Sequence, residues 1–267
     1  MTLQSAYVQF GSGLPRPGVS VRLMLTPAEY FEAIRRDGDR LAEVAAGAWD
    51  RPVPPCPDWK VADLVLHTGE VHRDKIQIID AGGTTRPERN VGLPAVRDEA
   101  TVLAWYREGL DLLLKRLDTD PETPAWSWAD DHRVAFWQRR MAHETAVHRW
   151  DGEAAVGHTT PISPAALADD GIDEVLSWVV LQDPYTGPAG TIHVHSDTGG
   201  EWVVRLAPGS PGSGVTVERA HEKADAALRG NPSDLDLVLW GHRSVDAVEV
   251  IGDPEMLAAF QAFADLS

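Results

Sequence analysis

Cysteine is almost missing from this chain: Cys56 stands alone among 267 residues. One cysteine cannot close an internal disulfide, which points to a reducing compartment, the cytoplasm. Lysine is nearly as scarce, with Lys60, Lys75, Lys115 and Lys223 the only four. Basic residues number 24 against 41 acidic ones, a formal charge of −17. So acidic a chain is short of the clustered cations that hold phosphate backbones by releasing counterions, and nucleic acid is excluded as a partner. An anionic membrane surface is excluded on the same ground. No apolar run approaches the roughly 18 residues of a membrane span. Residues 1–23 lack the basic-then-apolar layout of a signal peptide. Nucleophile elbow, P-loop, dinucleotide fingerprint and internal repeats are all missing.

The length fits one large or two modest domains, long enough to bury a core without disulfides or a structural metal. Gly11, Gly13, Pro15, Pro17 and Gly18 mark residues 1–23 as a flexible tail, and patterned sequence starts at Met24, a candidate natural start. Thr26-Pro27-Ala28-Glu29 is a capping box with proline at the first helical position. The first helix then shows Phe31, Ile34, Leu41, Val44 and Ala45 at helical spacing. A proline-rich turn, Pro52 to Pro57, leads into a second helix with the stripe Val61, Leu64, Val65, Thr68, Val71, Ile76 and Ile79. A third carries Val102, Leu103, Tyr106, Leu110, Leu113, Leu114 and Leu117, and a fourth spans about 134–156. Four amphipathic helices without strand signals between them read as a four-helix bundle over residues 24–157.

Past Gly157 the character changes. A short helix around 165–181 precedes alternation in Thr191 to His195, a turn at Asp197 to Gly200, and a second alternating run, Glu201 to Leu206. Val215 and Val217 alternate again, 234–240 is helical, 247–251 is a strand, and Asp253-Pro254-Glu255 opens a last helix. Residues 158–267 thus read as a small α+β domain, joined to the bundle near 157–164.

The residues richest in chemistry lie on the fourth helix, from His143 to Asp151. His143 and His148 are five apart and diverge by about 140° around a helix, so they are not a metalloprotease pair. Glu144 and His148, at i and i+4, share a face that continues back through Met141 and Trp137. A carboxylate on an inward face is costly unless paired or bound to metal. On the second helix His67, between Leu64 and Val71, also faces inward. One histidine from one helix with a glutamate and a histidine from another makes a facial set that leaves coordination positions open, as in catalytic zinc and non-haem iron sites. The plainer alternative is a hydrogen-bonded core histidine and a Glu144–Arg140 ion pair one turn apart. His193 and His195 share a strand face and could chelate. Cys56, just before a helix, reads as a turn residue, and Asp130, Asp131, Asp169 and Asp170 as solvated faces.

Cys56-Pro57-Asp58-Trp59, followed eight residues later by His67 on a helix, resembles the opening signature of the mycothiol-dependent maleylpyruvate isomerase family, within the DinB-like superfamily. Glu144-x-x-x-His148-Arg149-Trp150-Asp151 resembles its second signature. Ala227-Leu228-Arg229-Gly230, Asp234-Leu235 and Leu239-Trp240-Gly241 resemble its small C-terminal domain, related to sterol-carrier proteins. The resemblance runs from about Met24 to the end. It implies a DinB-like bundle with a divalent metal, usually zinc, on His67, Glu144 and His148. It also implies mycothiol as thiol cofactor and a small-molecule electrophile as substrate: an isomerase of maleylpyruvate, or a thiol S-transferase. A dicarboxylate would need cationic clamps, for which Arg140 and Arg149 are candidates, while Asp151 could orient a ligand. The expectation from another class is a non-catalytic protein binding a small molecule or a lipid in the sterol-carrier-like domain.

Overall fold

The structure, a computed structural model, describes residues 25–179 and 183–264. The expected tail and Met24 lie outside the described residues. Helix α1 (Pro27–Ala45) starts at the capping box: Thr26 accepts from the Glu29 amide, and the Glu29 carboxylate accepts from the Thr26 N–H at 2.7 Å. Helix α2 (Val61–Ala81) opens where Asp63 takes the Lys60 N–H, and α3 (Glu99–Leu117) where Asp98 takes the Thr101 N–H. Helix α4 (Val134–Ala155) ends just before Gly157, whose φ of 76° suits a residue without a Cβ. α1 packs along α4 and α3, and α2 along α3 and α4, closing a four-helix bundle. Its core holds Ile34, Leu110, Leu113, Trp137 and Met141 at one end, and Leu41, Leu64, Val65 and Tyr106 at the other.

Within the bundle region, one local element differs from expectation. The proline-rich stretch is a small hairpin, β1 (Pro52–Val53) and β2 (Cys56–Lys60), rather than a bare turn. Short edge strands tolerate proline because only one side of the ladder needs donors.

Helix α5 (Ala165–Val179) follows, then strands β3 (Gly190–Ser196), β4 (Glu201–Leu206), β5 (Val215–Glu218) and β6 (Ala226–Gly230). Helix α6 (Pro232–Leu239), a 3₁₀ turn at Val245–Ala247, strand β7 (Glu249–Gly252) and helix α7 (Pro254–Phe263) complete the fold. The sheet order is β5-β4-β3-β6-β7, antiparallel except for the parallel β3–β6 pair. Alternation sends Ile192, Val194, Trp202, Val204, Leu206 and Leu228 to one face. There they form one core with Ile172 and Leu176 of α5, Leu235 and Leu239 of α6, and Phe260 of α7. Side chains of the domain's own helices therefore fill the face on which a carried lipid would have to lie.

The two parts share their interior. Ile162, Leu167, Ala168 and Leu237 pack into the bundle core, while Ile172 and Val175, further along α5, pack under the sheet. Helix α4 is consequently buried nearly all round, including Arg139, Arg140, His143, Arg149 and Asp151. Asp169 and Asp170, expected on a solvated face, are also buried: Asp170 accepts from Tyr30 (2.7 Å) and Arg139 (3.0 Å) and bonds His143 (2.9 Å). Burial would raise the Asp170 carboxyl, but the His143 hydrogen bond and the Arg139 charge hold it well below its usual range.

Candidate metal centre

His67 of α2 and Glu144 and His148 of α4 converge at the α2–α4 interface. Glu144 Oε1 lies 3.2 Å from His148 Nε2 and 3.6 Å from His67 Nε2, and the two rings meet edge-on with centroids 5.1 Å apart. Two ligands about 2.1 Å from a tetrahedral ion stand about 3.4 Å apart, so both spacings match what a zinc-sized ion requires. The three donor atoms lie within 4.8 Å of one another. Glu144 and His148 are largely buried, whereas the His67 side chain is 34% exposed, which opens the site to solvent on the α2 side. The Trp59 ring of β2 covers His67 at 4.8 Å and reaches His148 at 6.3 Å. The hairpin therefore serves to lay an indole over the site.

Behind these three lies a second layer. Asp151 Oδ2 bonds His148 Nδ1 at 2.9 Å, fixing the ring so that Nε2 faces Glu144. The other oxygen, Oδ1, bonds His242 Nδ1 at 2.9 Å. Such a carboxylate–histidine pair is the usual support of a metal-binding imidazole. Burial alone would lift the Asp151 carboxyl, but His242 and His148 hold it low. His148 is likewise disfavoured as a cation by burial, yet its bonds to Asp151 and Glu144 prevail and push its pKa up to about 9. Burial would also raise Glu144, but Arg140 and the two histidines hold it well below the carboxylate range. The carboxylate is thus anionic at neutral pH, as a ligand must be.

Arg140 bears on both readings of Glu144. Its guanidinium bonds Glu144 Oε2 at 2.5 Å and also bonds Glu174 of α5, while Trp178 and Trp240 flank it at 4.9 and 4.6 Å. The expected Arg140–Glu144 pair exists, and it leaves Oε1 facing the histidines. Arg140 is shared between two carboxylates. Arg149 is spent too, on Asp37 (3.3 Å), Glu153 (3.0 Å) and the Thr160 carbonyl (2.6 Å). It lines a separate cleft of about 610 Å³ that contains none of the site residues.

His143 turns away to Asp170, as the five-residue spacing requires. Cys56 sits in strand β2, and burial, reinforced by the Asp151 charge, pushes its thiol up to about 12, which disfavours a thiolate. Three contributors escaped sequence reasoning. His72 is a buried histidine lowered to about 3 by burial, and it bonds Thr145 at 3.0 Å, tying α2 to α4 beside the site. Glu174 and His242 come from the C-terminal part, so the site is not the property of the bundle alone. His242 directly follows the Leu239-Trp240-Gly241 run, the one signal in the sequence that marked its neighbourhood.

The described fold is thus a four-helix bundle carrying a facial His/Glu/His set, joined to a small α/β domain that completes the second layer. Residues 31–152 match the family described as the mycothiol maleylpyruvate isomerase N-terminal domain. The fold as a whole is similar to two crystal structures, of the mycothiol-dependent maleylpyruvate isomerase and of a histidine-to-alanine mutant of that enzyme. The TM-scores are 0.59 and 0.60, each at 10% identity over 86% of this chain and 96% of that one. Both the bundle and the sheet module are therefore shared with that fold. No curated protein matches the sequence. No helix among the described residues is long and apolar enough to cross a membrane.

Proposed function

We propose that this chain is a metal-dependent, mycothiol-using enzyme whose divalent ion, zinc in the first instance, is held by His67, Glu144 and His148. The observation that carries the reading is the pair of 3.2 and 3.6 Å separations about Glu144 Oε1, backed by Asp151 behind His148. Two imidazoles and a carboxylate suit zinc, and three protein ligands leave a position open for a sulfur donor. When bound, the ion supplies the positive charge that favours thiolate over thiol at neutral pH.

The chain's own residues do the rest. Asp151 keeps the His148 ring in one orientation, and Arg140 keeps Glu144 ionised and turned toward the histidines. Trp59 covers one side of the centre and limits water there. The bound thiol would supply a sulfur nucleophile for an electron-poor carbon of the substrate, expelled again after bond rotation in an isomerisation or retained with uptake of a proton in a transfer.

Because Arg140 and Arg149 are both consumed by internal ion pairs, the site favours an uncharged electrophile over a dicarboxylate. The net charge of −17 acts in the same direction. This makes S-transfer the better-supported form of the activity, with maleylpyruvate-type isomerisation as the form suggested by the similar enzymes.

The test has two arms. Zinc bound to the purified protein is measured for wild type and His148→Ala, and mycothiol consumption is followed against neutral and dianionic electrophiles. We expect zinc and thiol turnover to fall together, by more than about a hundredfold, in His148→Ala. Thiol turnover that persists in a metal-free protein would refute the reading.

A further inference from the structure

We propose a second metal site, on the open face of the sheet, in which His193, His195, Glu201 and His221 bind a divalent ion of the zinc class and pin the 219–225 segment to the sheet. This proposal does not rest on the reading of the bundle site.

The geometry begins with strand alternation. His193 and His195 are two residues apart on β3 and project to the face opposite the apolar core. Glu201 of β4 stands directly opposite His195 in the antiparallel ladder. The segment that follows β5 folds back over this face and delivers His221. Glu201 Oε1 accepts from His195 Nδ1 and His221 Nδ1, each at 2.8 Å. The His193 ring meets those of His195 and His221 edge-on, at 5.8 and 5.3 Å. One donor atom from each of the four lies within 4.8 Å of the others. The three imidazoles border a cavity of about 250 Å³, and Arg229 at its rim faces Asp197 at 3.8 Å.

Ion pairing does not account for this arrangement. One histidine suffices to balance Glu201, yet three converge on it. His193 is only 9% exposed, and its Nε2 is buried without a hydrogen-bond partner among the described residues. An orphaned imidazole nitrogen is a cost that a ligand would remove. His221 is three-quarters exposed on its segment, so it is free to close the remaining distance to about 3.4 Å between ligands. Three nitrogens and one carboxylate oxygen fill a tetrahedral shell and leave no open position, the arrangement of a structural rather than a catalytic zinc.

The experiment measures zinc per chain after dialysis in the full-length protein, for wild type, His195→Ala, His221→Ala and His148→Ala. We expect His195→Ala and His221→Ala each to lose one zinc equivalent relative to wild type, while His148→Ala keeps that equivalent. We also expect zinc to slow protease cleavage within 219–225 in wild type but not in His221→Ala. His221 lies on an exposed segment outside both cores, so this variant keeps the fold. Zinc content equal to wild type in both sheet variants overturns the proposal, as does release at a roughly millimolar Kd, the mark of adventitious binding. Failure of the bundle reading has a separate signature, zinc content unchanged in His148→Ala.

Discussion

The helical and sheet parts of this molecule handle their polar residues in opposite ways. In the bundle, charges are buried and locked in place: Arg140 between Glu144 and Glu174, Arg139 and His143 on Asp170, Arg149 on Asp37 and Glu153. In the sheet, period-two alternation separates the chemistry, with an apolar face under α5, α6 and α7 and a polar face carrying His193, His195 and Glu201. The difference follows from geometry. A helix enclosed on every side must bury whatever it carries, so its polar groups need partners from elsewhere. A sheet with one uncovered face can keep polar groups near water. In consequence the bundle's centre depends on the C-terminal part for Glu174, Trp240 and His242, whereas the sheet's cluster is built from its own strands and loop.

The sharpest way to break this contrast is Arg140→Met. It leaves Glu174 as a buried carboxylate without its guanidinium partner and Glu144 with the histidines alone, and should destabilise the metal-free protein by about 3–5 kcal/mol in chemical denaturation. Added zinc should recover part of that loss if Glu144 is a ligand. A cost below about 1 kcal/mol would mean that the triad is not a locked charge network.

Asp151→Asn comes next. It keeps the size of the side chain but removes the charge behind His148, and zinc affinity should drop about 10- to 100-fold by competition with a chelating dye. No change would separate Asp151 from the centre.

The pH dependence is of similar size. With His148 at about 9 in the metal-free protein, zinc must displace its proton, so affinity should fall about tenfold per pH unit below that value. The sign is opposite for metal-free stability. A raised histidine pKa stabilises fully below the unfolded value of about 6.5 and loses that contribution as pH rises through about 9. A flat affinity profile would show that His148 is not the group displaced.

The smallest effect probes the seam between the two parts. Asp236 on α6 is fully buried, and burial, aided by the nearby Glu174, raises its pKa well above the usual range. Its raised pKa opposes folding once the unfolded carboxyl ionises, above about 3.9, and the penalty grows as pH rises toward the folded value. Asp236→Asn should therefore stabilise by about 1 kcal/mol, with a larger gain in Tm at pH 8 than at pH 5. An equal gain at both would show that the carboxyl is not held protonated.

Much of the candidate centre was legible because helical phase is a local property. Glu144 and His148 share a face by their four-residue spacing, His67 faces inward by its place between Leu64 and Val71, and His143 is excluded by the same arithmetic. What could not be read was whatever depends on a partner distant in sequence. Asp169 and Asp170 look like a solvated pair because nothing nearby marks the arrival of Tyr30, Arg139 and His143. Strand β6 went unrecognised because Ala226-Ala227-Leu228-Arg229-Gly230 has no strand bias of its own and is extended only through pairing with β3 and β7. Arg140 reads both as a structural ion pair and as a substrate clamp, and only the tertiary structure brings Glu174 of α5 to it.

From the sequence alone came the four-helix frame, the change to alternating strands past Gly157, and the inward set of His67, Glu144 and His148. Each follows from short-range periodicity and capping, which need no partner to be defined. Tertiary structure alone decided that Glu144 keeps one oxygen for Arg140 and turns the other to the histidines. It also decided that His242 supports Asp151 from the far part of the chain, and that His221 folds over His193. These depend on which surfaces meet when the two cores pack through α5, and contacts of that range are set by the whole chain's burial rather than by any stretch of it.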